Sequence, residues 1–176
     1  MEPAGEITFH EEQRPWPGFV AIGIVSCSIA PTFFAYAIVK QMIFHSPVGE
    51  RPIPDGLLAI LATAVIVLAL VGLIVTCMAR LVIEVRHDGL YVRFVPFHHR
   101  PKRIALNQVA SVKAVIYRPI LRYGGWGIRW TIRGKAYNAR GSRGVRLDHV
   151  NGRHLLLGSQ QPDELAEAIR RLRSTQ

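Results

Sequence analysis

Cysteine and acidic residues are scarce in this chain of 176 residues, which has two Cys and 12 Asp or Glu against 22 Lys or Arg. Both cysteines, Cys27 and Cys77, lie inside apolar runs. If those runs are antiparallel helices, a rise of about 1.5 Å per residue separates the two thiols by roughly 10 Å in depth. That separation is too large for a disulfide. We therefore expect both residues to be small apolar fillers, and we exclude a fold held together by disulfides.

Charge is absent from two long stretches, 25 residues from 15 to 39 and 24 residues from 56 to 79. A helix needs about 20 apolar residues to cross a bilayer core, so each stretch is long enough to span. Neither stretch contains His either, which argues against a proton relay or an ion path inside the pair. A signal peptide is the alternative for the first stretch, but it would need a basic start and a shorter apolar core. Because the start here is acidic, we predict an uncleaved anchor.

These stretches divide the chain into three parts. We predict a polar N-terminal segment at 1–14, a two-helix transmembrane hairpin at 15–80 and a soluble domain at 81–176. The spans themselves are placed at 17–40 and 56–79, and the short loop between them makes the helices antiparallel neighbours. Gly72 would permit close contact of the two helices. More basic residues flank the termini than the loop, which predicts that both termini are cytoplasmic: Arg14, Arg80, Arg86 and Arg93 against Lys40 and Arg51.

Positive charge is concentrated in the soluble part. From residue 80 onward there are 19 Lys or Arg and six Asp or Glu, a formal net charge of +13. Such a domain favours a negatively charged neighbour, which would be an anionic leaflet, an acidic protein or a nucleic acid. Solvation and control of membrane topology are alternatives that need no partner.

Alternating apolar residues in the soluble part predict strands. We expect about seven antiparallel strands, at 81–86, 90–95, 109–117, 126–132, 135–139, 144–149 and 153–158. In the fourth strand Trp126, Ile128, Trp130 and Ile132 alternate with polar residues and are expected to face the core. Pro162 begins a C-terminal helix with an apolar stripe at Leu165, Ile169 and Leu172. The predicted fold is therefore a membrane α-helical hairpin plus an all-β barrel, with the C-terminal helix closing the open end of the barrel.

At this point the sequence resembles small bacterial two-helix membrane proteins that carry a pleckstrin-homology-like domain. The Asp88-Gly89-Leu90 turn and the closing helix fit that plan. More specific are a Phe-x-Glu-x-Gln pattern at Phe9, Glu11 and Gln13 before Trp16, and the segments 123–129, 136–138, 140–145 and 158–165. The resemblance covers nearly the whole chain. It implies a bacterial inner-membrane location and a pleckstrin-homology-like fold, but no assigned reaction and no catalytic residue.

The glycine-rich segment at 123–129 is the first candidate binding site. Gly124, Gly125 and Gly127 allow tight bending and close approach of a ligand to the backbone. Basic side chains nearby would bind an anionic group, so the candidate residues are Arg118, Arg122, Tyr123, Gly124, Gly125, Trp126 and Arg129. The alternative is a simple turn in which Trp126 anchors the core. The spacing fits neither a Walker loop nor a dinucleotide fingerprint.

Two further basic groups are candidates for contact with phosphate head groups. Arg140 and Arg143 flank Gly141 in a turn expected at the mouth of the barrel. Residues 98–103, with the sequence His-His-Arg-Pro-Lys-Arg, would lie against the leaflet, where each basic residue contributes about 1 kcal/mol. The alternative for each group is a solvated loop that binds no ligand.

Other chemistry finds little support in the sequence. The adjacent pair His98 and His99 lacks the ligand spacing of a structural zinc site, and no serine has the elbow motif of a nucleophile. We therefore expect no metal, no cofactor and no enzymatic activity. Trp126 and Trp130 would be usable for nucleic-acid stacking only if exposed, so their expected core position and the membrane tether argue against nucleic acid as a partner.

The function expected from the sequence is a non-enzymatic, membrane-anchored interaction or scaffold module. Its partner would be anionic lipid head groups or a membrane protein, and a homo-oligomer is compatible with the hairpin. The alternative function is an accessory subunit of a larger membrane transport or envelope complex.

Overall fold

The structure is a computed structural model that describes residues 7–49, 52–132 and 134–175. The chain divides into two compact units. One is Pro17–Met78, and the other combines the residues that precede it with those that follow it. The second unit is called the sheet unit below, and the first the helical unit.

The helical unit contains two long apolar helices. Helix α1 covers Pro17–Ile38 and continues as a π-helical turn over Val39–Ile43, and α2 covers Asp55–Met78. By length and composition, both are long and apolar enough to cross a membrane. The prediction of two such helices is confirmed, whereas their insertion in a bilayer stays a prediction.

Small residues lie where the two helices meet. A Cβ added to Gly72 would be 3.6 Å from Cys27 Sγ, and one added to Gly23 would be 3.5 Å from a methyl carbon of Thr76. Near the other end, the Gln41 side-chain amide donates to Asp55 Oδ1 at 2.7 Å. As residue numbers increase along α1, the numbers of the contacting residues in α2 decrease, so the helices are antiparallel. Both cysteines are free thiols.

The first sheet has four antiparallel strands in the order β1-β2-β3-β4. They are β1 Ile7–Gln13, β2 Arg80–Arg86, β3 Gly89–Val95 and β4 Lys102–Ile104. In β2 every second residue is buried, as the alternation predicts, which places Leu81, Ile83 and Val85 in the core. Strand β1 was not expected from the sequence. It pairs with β2 and places Gln13 opposite Leu81, while the six residues before it lie outside the described part of the chain.

The second sheet has five strands in the order β5-β8-β9-β7-β6. They are β5 Val109–Ile116, β6 Gly127–Thr131, β7 Gly134–Asn138, β8 Arg143–His149 and β9 His154–Gly158. A short helix, α3, covers Pro119–Tyr123 between β5 and β6. All pairs are antiparallel except β7 with β9, which run parallel.

Helix α4, Pro162–Thr175, packs its apolar stripe into the main core of the sheet unit. Leu165 and Ile169 are fully buried and Leu172 is nearly so. The helix contacts β1 and β2 of the first sheet and β5 and β8 of the second. The predicted C-terminal helix and its stripe are therefore confirmed.

The predicted barrel is corrected in two respects. Within the described residues the nine strands form two separate sheets rather than one closed barrel. The β7–β9 pair is parallel, because β8 lies on the other side of β9 and β7 enters the sheet after a crossover. Alternation along a strand reports which side chains face inward, but it carries no information about which edges pair.

Candidate functional site

The glycine-rich segment forms the end of α3 and the loop that follows it. Gly124 is the C-terminal cap of α3 with φ of 69°, and its N–H donates to the carbonyl of Ile120. Gly125 and Gly127 also have positive φ, at 117° and 110°. This backbone favours glycine at all three positions, so the segment's composition follows from its turn geometry.

Trp126 and Arg129 hold this loop against its neighbours. Trp126 Nε1 donates to the carbonyl of Gly141 at 3.0 Å, and Arg129 Nε donates to the carbonyl of Trp126 at 2.9 Å. The first bond brings together two of the predicted groups, the glycine-rich loop and the turn that contains Arg140 and Arg143. Arg129 is therefore already engaged by the loop, so the segment is a braced turn.

The remaining predicted residues are placed differently. Arg118 precedes α3 and is exposed, and Arg143 lies 3.4 Å from Asp163 in an exposed ion pair. Arg122 and Tyr123 line a cavity together with Ile132 and Gly152. This cavity is different from the basic cavity described below. The Tyr123 hydroxyl lies 3.3 Å from His154 Nε2, and burial raises the pKa of Tyr123. The nine candidate residues thus lie at α3, on the loop and strand that follow it, and on the turn that leads into β8.

Two of the segments that carry the family resemblance meet in a buried polar clasp. Ser159 Oγ donates to Glu11 Oε2 at 2.5 Å, and the N–H of Gln160 donates to Glu11 Oε1 at 2.7 Å. Gln13 Nε2 donates to the carbonyl of Gly158 at 2.7 Å. The Phe-x-Glu-x-Gln pattern therefore has a structural reason, because its three named side chains all face inward from β1.

A basic cavity of about 560 Å³ opens where β4 faces the β6–β7 hairpin, and sequence reasoning did not find it as a unit. Both sheets contribute to its wall. The residues used below are Lys102, Trp130, Lys135, Tyr137 and Arg153. None of the described residues that line it is Asp or Glu, so its charge is positive.

The cations of the cavity lack carboxylate partners. In the described part of the chain, no Asp or Glu lies within ion-pairing distance of Lys102, Lys135 or Arg153, although seven such pairs occur elsewhere. Lys135 Nζ instead lies 3.9 Å from the ring centroid of Trp130 and 4.7 Å from that of Tyr137. These are distances at which a cation interacts with an aromatic ring.

The ionisable groups around the cavity respond to burial and to this positive charge. Burial lowers the pKa of Lys135 and raises that of Tyr137. Burial, together with Lys135 and Lys102, lowers the pKa of His98, whose ring packs edge-on against Tyr137. The Tyr137 hydroxyl is buried and makes no hydrogen bond among the described residues. A bound anion would offset the repulsion between these cations.

The expected core position of two residues in β6 and its turn is wrong. Trp130 is 76% exposed and Ile132 is fully exposed at 104%, whereas Ile128 packs against the core. The end of the β6–β7 hairpin projects beyond the core. The alternation of apolar and polar residues therefore continues in the sequence past the last residue that the core buries. An exposed aromatic platform is therefore present, and the argument against nucleic acid now depends on the membrane tether alone.

Part of the cavity could have been found in the sequence. Lys102 belongs to the predicted basic run 98–103. A two-residue turn between the predicted strands 126–132 and 135–139 places Ile132 opposite Lys135, whereas the structure pairs Trp130 with Lys135. The contribution of Arg153 depends on β7 and β9 lying side by side, which local sequence does not show.

Comparison with protein families gives a match. The sequence pattern of a protein family described as a family of unknown function (DUF6141) matches residues 3–174. No curated protein matches the chain. The family match spans both the helical unit and the sheet unit, so the two occur together in its pattern. Among the described residues, no group of three or more His, Cys, Asp or Glu is placed to hold a metal ion.

Proposed function

The chain belongs to the DUF6141 family, and because the description of that family names no activity, we propose from geometry that it is a membrane-anchored, non-enzymatic interaction module. Its basic cavity engages an anionic group, which we take to be the phosphate of an anionic lipid head group. Helices α1 and α2 are the anchor in this proposal. The single observation that carries it is that three cavity cations, Lys102, Lys135 and Arg153, have no carboxylate partner among the described residues.

The charge arrangement supports a ligand over a purely structural role. Some cations elsewhere in the sheet unit are paired with a carboxylate, as with Arg146 at 2.6 Å from Asp148. Burial alone would raise the pKa of Asp148, but hydrogen bonds from Arg146 and Ser111 outweigh it and hold that pKa below its usual range. None of the described residues that line the cavity is such a carboxylate, so its cations are left to interact with an external anion.

The anchor and its orientation form the second part of the proposal. Two antiparallel spans place both ends of the helical unit on one side of a bacterial inner membrane. The bias of basic residues favours the cytoplasmic side, where anionic lipids attract basic segments with about 1 kcal/mol per residue. We also propose that the sheet unit is pleckstrin-homology-like, on the support of two packed sheets and a C-terminal amphipathic helix.

An accessory-subunit role is the second candidate, and one observation favours it. Ile120 and Leu121 on α3 are both exposed, at 64% and 75%. Adjacent exposed apolar residues on a short helix suit contact with another protein. A stoichiometric partner retained through purification in mild detergent would support this candidate, and a lone monomer would count against it.

The cavity is tested with the full chain, because a fragment that begins at residue 80 would lack β1. The purified protein in zwitterionic detergent is titrated with short-chain phosphatidylglycerol and, separately, with short-chain phosphatidylcholine. The double variant Lys102→Gln/Lys135→Gln should weaken phosphatidylglycerol binding about 30-fold, since two basic residues contribute about 2 kcal/mol. Added salt should weaken binding of the unsubstituted chain.

The matched control removes the same charge elsewhere. Lys113 on β5 and Arg173 on α4 are exposed and do not line the cavity, so Lys113→Gln/Arg173→Gln should change the affinity by less than about threefold, as screened surface charges do. Equal binding of the two lipids, or equal losses in the two double variants, would contradict the proposal.

A further inference from the structure

We propose that one end of the second sheet docks onto an anionic lipid leaflet, with Ile132 and Val150 entering the boundary of the acyl chains. This end, called the turn end, consists of the β6–β7 turn and the β8–β9 turn. The proposal rests on the proposed function, and it adds the surface that touches the leaflet and the residues that enter it.

Strand register places the two turns side by side. Gly134, which begins β7, pairs with His154, which begins β9. The β6–β7 turn leads into the first of these strands and the β8–β9 turn leads into the second. In addition, Ile132 and Gly152 line the same cavity, so the turns project from the same end of the sheet.

Each turn carries an apolar side chain that the protein leaves uncovered. Ile132 is 104% exposed and Val150 is 74% exposed, and Trp130 just behind them is 76% exposed. The residues that follow Val150 are Asn151 and Gly152, which form a tight turn with Gly152 at φ of 76°. Isolated apolar residues at the tips of turns cannot be buried by rearrangement of the core, so only an external apolar phase removes them from water.

Cations lie directly behind these tips. Arg153 follows the β8–β9 turn and is exposed, Lys135 follows the β6–β7 turn, and Lys102 lies across the basic cavity. None of them has a carboxylate partner in the described residues. Apolar tips backed by unpaired cations match the layered structure of an anionic leaflet, in which phosphates lie just outside the acyl chains. Trp130 suits the interfacial layer because its ring is apolar and its N–H is polar.

A leaflet fits this surface better than a protein partner does. A standard protein interface involves about 20–30 residues on each side, whereas the apolar surface here is one side chain on each of two turns together with Trp130 of β6. The two apolar helices in the same chain also keep a bilayer close at all times in the proposed function, so weak contacts suffice for docking.

The test uses spin labels on the full chain. In a Cys27→Ala/Cys77→Ala background, a nitroxide is attached at Ile132→Cys, at Val150→Cys or at Ile116→Cys. Ile116 is the matched control, because it is an apolar residue that is 81% exposed and pairs with Arg143 at the opposite end of the sheet. Each protein is reconstituted in nanodiscs of phosphatidylcholine alone or mixed with phosphatidylglycerol. Collisions of the label with oxygen, which enters lipid, are compared with collisions with a water-soluble nickel complex.

In the discs with phosphatidylglycerol, the labels at 132 and 150 should favour oxygen at least threefold more than the label at 116. That preference should decrease in high salt and in discs of phosphatidylcholine alone. Labels at 132 and 150 that stay as accessible to nickel as the control would overturn the proposal, and so would labels shielded from both reagents, which indicate a protein contact. If Lys102→Gln/Lys135→Gln still weakens lipid binding in that case, the proposed function stands and only the docking surface is wrong. If neither effect occurs, both are wrong.

Discussion

The clasp around Glu11 predicts a large effect from one substitution on the N-terminal strand. Glu11 is 8% exposed and accepts hydrogen bonds from Ser159 Oγ and from the N–H of Gln160. In Glu11→Ala both bonds are lost, and the Ser159 hydroxyl is left buried without its acceptor. Hydrogen bonds to a charged group contribute about 1.5–3 kcal/mol each, so the substitution should cost at least about 3 kcal/mol.

The neighbouring glutamate provides a matched control. Glu12 faces the other side of β1, is about one-third exposed, and lies 3.5 Å from Arg80 and 3.6 Å from Arg14. Exposed ion pairs of this kind contribute about 0–1 kcal/mol. Glu12→Ala should therefore have little effect, although it removes the same side chain from the adjacent position on the same strand.

Hydrogen exchange of the full chain in nanodiscs measures the difference. If β1 opens locally, a loss of about 3 kcal/mol makes hydrogen exchange roughly 100-fold faster. The affected amides are those of β1 and those of β2 that pair with β1. Exchange in Glu11→Ala within threefold of that in Glu12→Ala would refute the reasoning. A double-mutant cycle with Ser159→Ala should show a coupling energy of at least about 1 kcal/mol, since the two side chains share a bond.

Three other outcomes follow from the same structure. Burial, with Lys135 and Lys102 nearby, holds the pKa of His98 below its usual value of 6.5, so protonation favours the unfolded chain and the free energy of unfolding should fall as the pH drops below 6.5. His98→Asn, which keeps an acceptor for the N–H of Phe94, should flatten that dependence in thermal melts. Gly134→Ala would place a Cβ 2.0 Å from the carbonyl oxygen of His154, so it should lower the free energy of unfolding by at least about 3 kcal/mol. Gly152 has open space around it, so Gly152→Ala should lower the free energy of unfolding by only about 1–2 kcal/mol, which is the cost of its positive φ. Equal denaturation midpoints of the two variants would contradict this. Leu165→Ala should cost about 2–5 kcal/mol in the same measurement because Leu165 is fully buried.

Sequence periodicity was sufficient for most elements of the fold. The seven predicted strands and the C-terminal helix are present, and in most of them an apolar face repeats with the period of the element's own backbone, although β6 buries none of its residues. Strand β1 was missed because Glu11 and Gln13 are buried through hydrogen bonds rather than through apolar contact. Strand β4 was missed because its three residues are too few to show a period.

The candidate site was predictable only in part. The glycine-rich loop was recognised because positive φ favours glycine in any context, but the same property explains the glycines without a ligand. The basic cavity depends on Lys102, Lys135 and Arg153, which are separated in sequence and meet only through the pairing of distant strands. A side chain's exposure at the end of a hairpin, as for Ile132, depends on where the core ends, and periodicity alone does not report that.

Antiparallel pairing of β1 with β2 makes the two long apolar helices, in topological terms, the loop of a β-hairpin. Gln13 is opposite Leu81, so the 67 residues between them occupy the place where a two-residue turn would suffice. During synthesis β1 emerges first and stays unpaired until both helices have been made, so the first sheet cannot be completed before the helical unit exists. Replacing residues 14–80 with an Asn-Gly turn should yield a sheet unit that folds without the two helices, and an insoluble or unfolded product would show that the sheet unit needs the helical unit in order to fold.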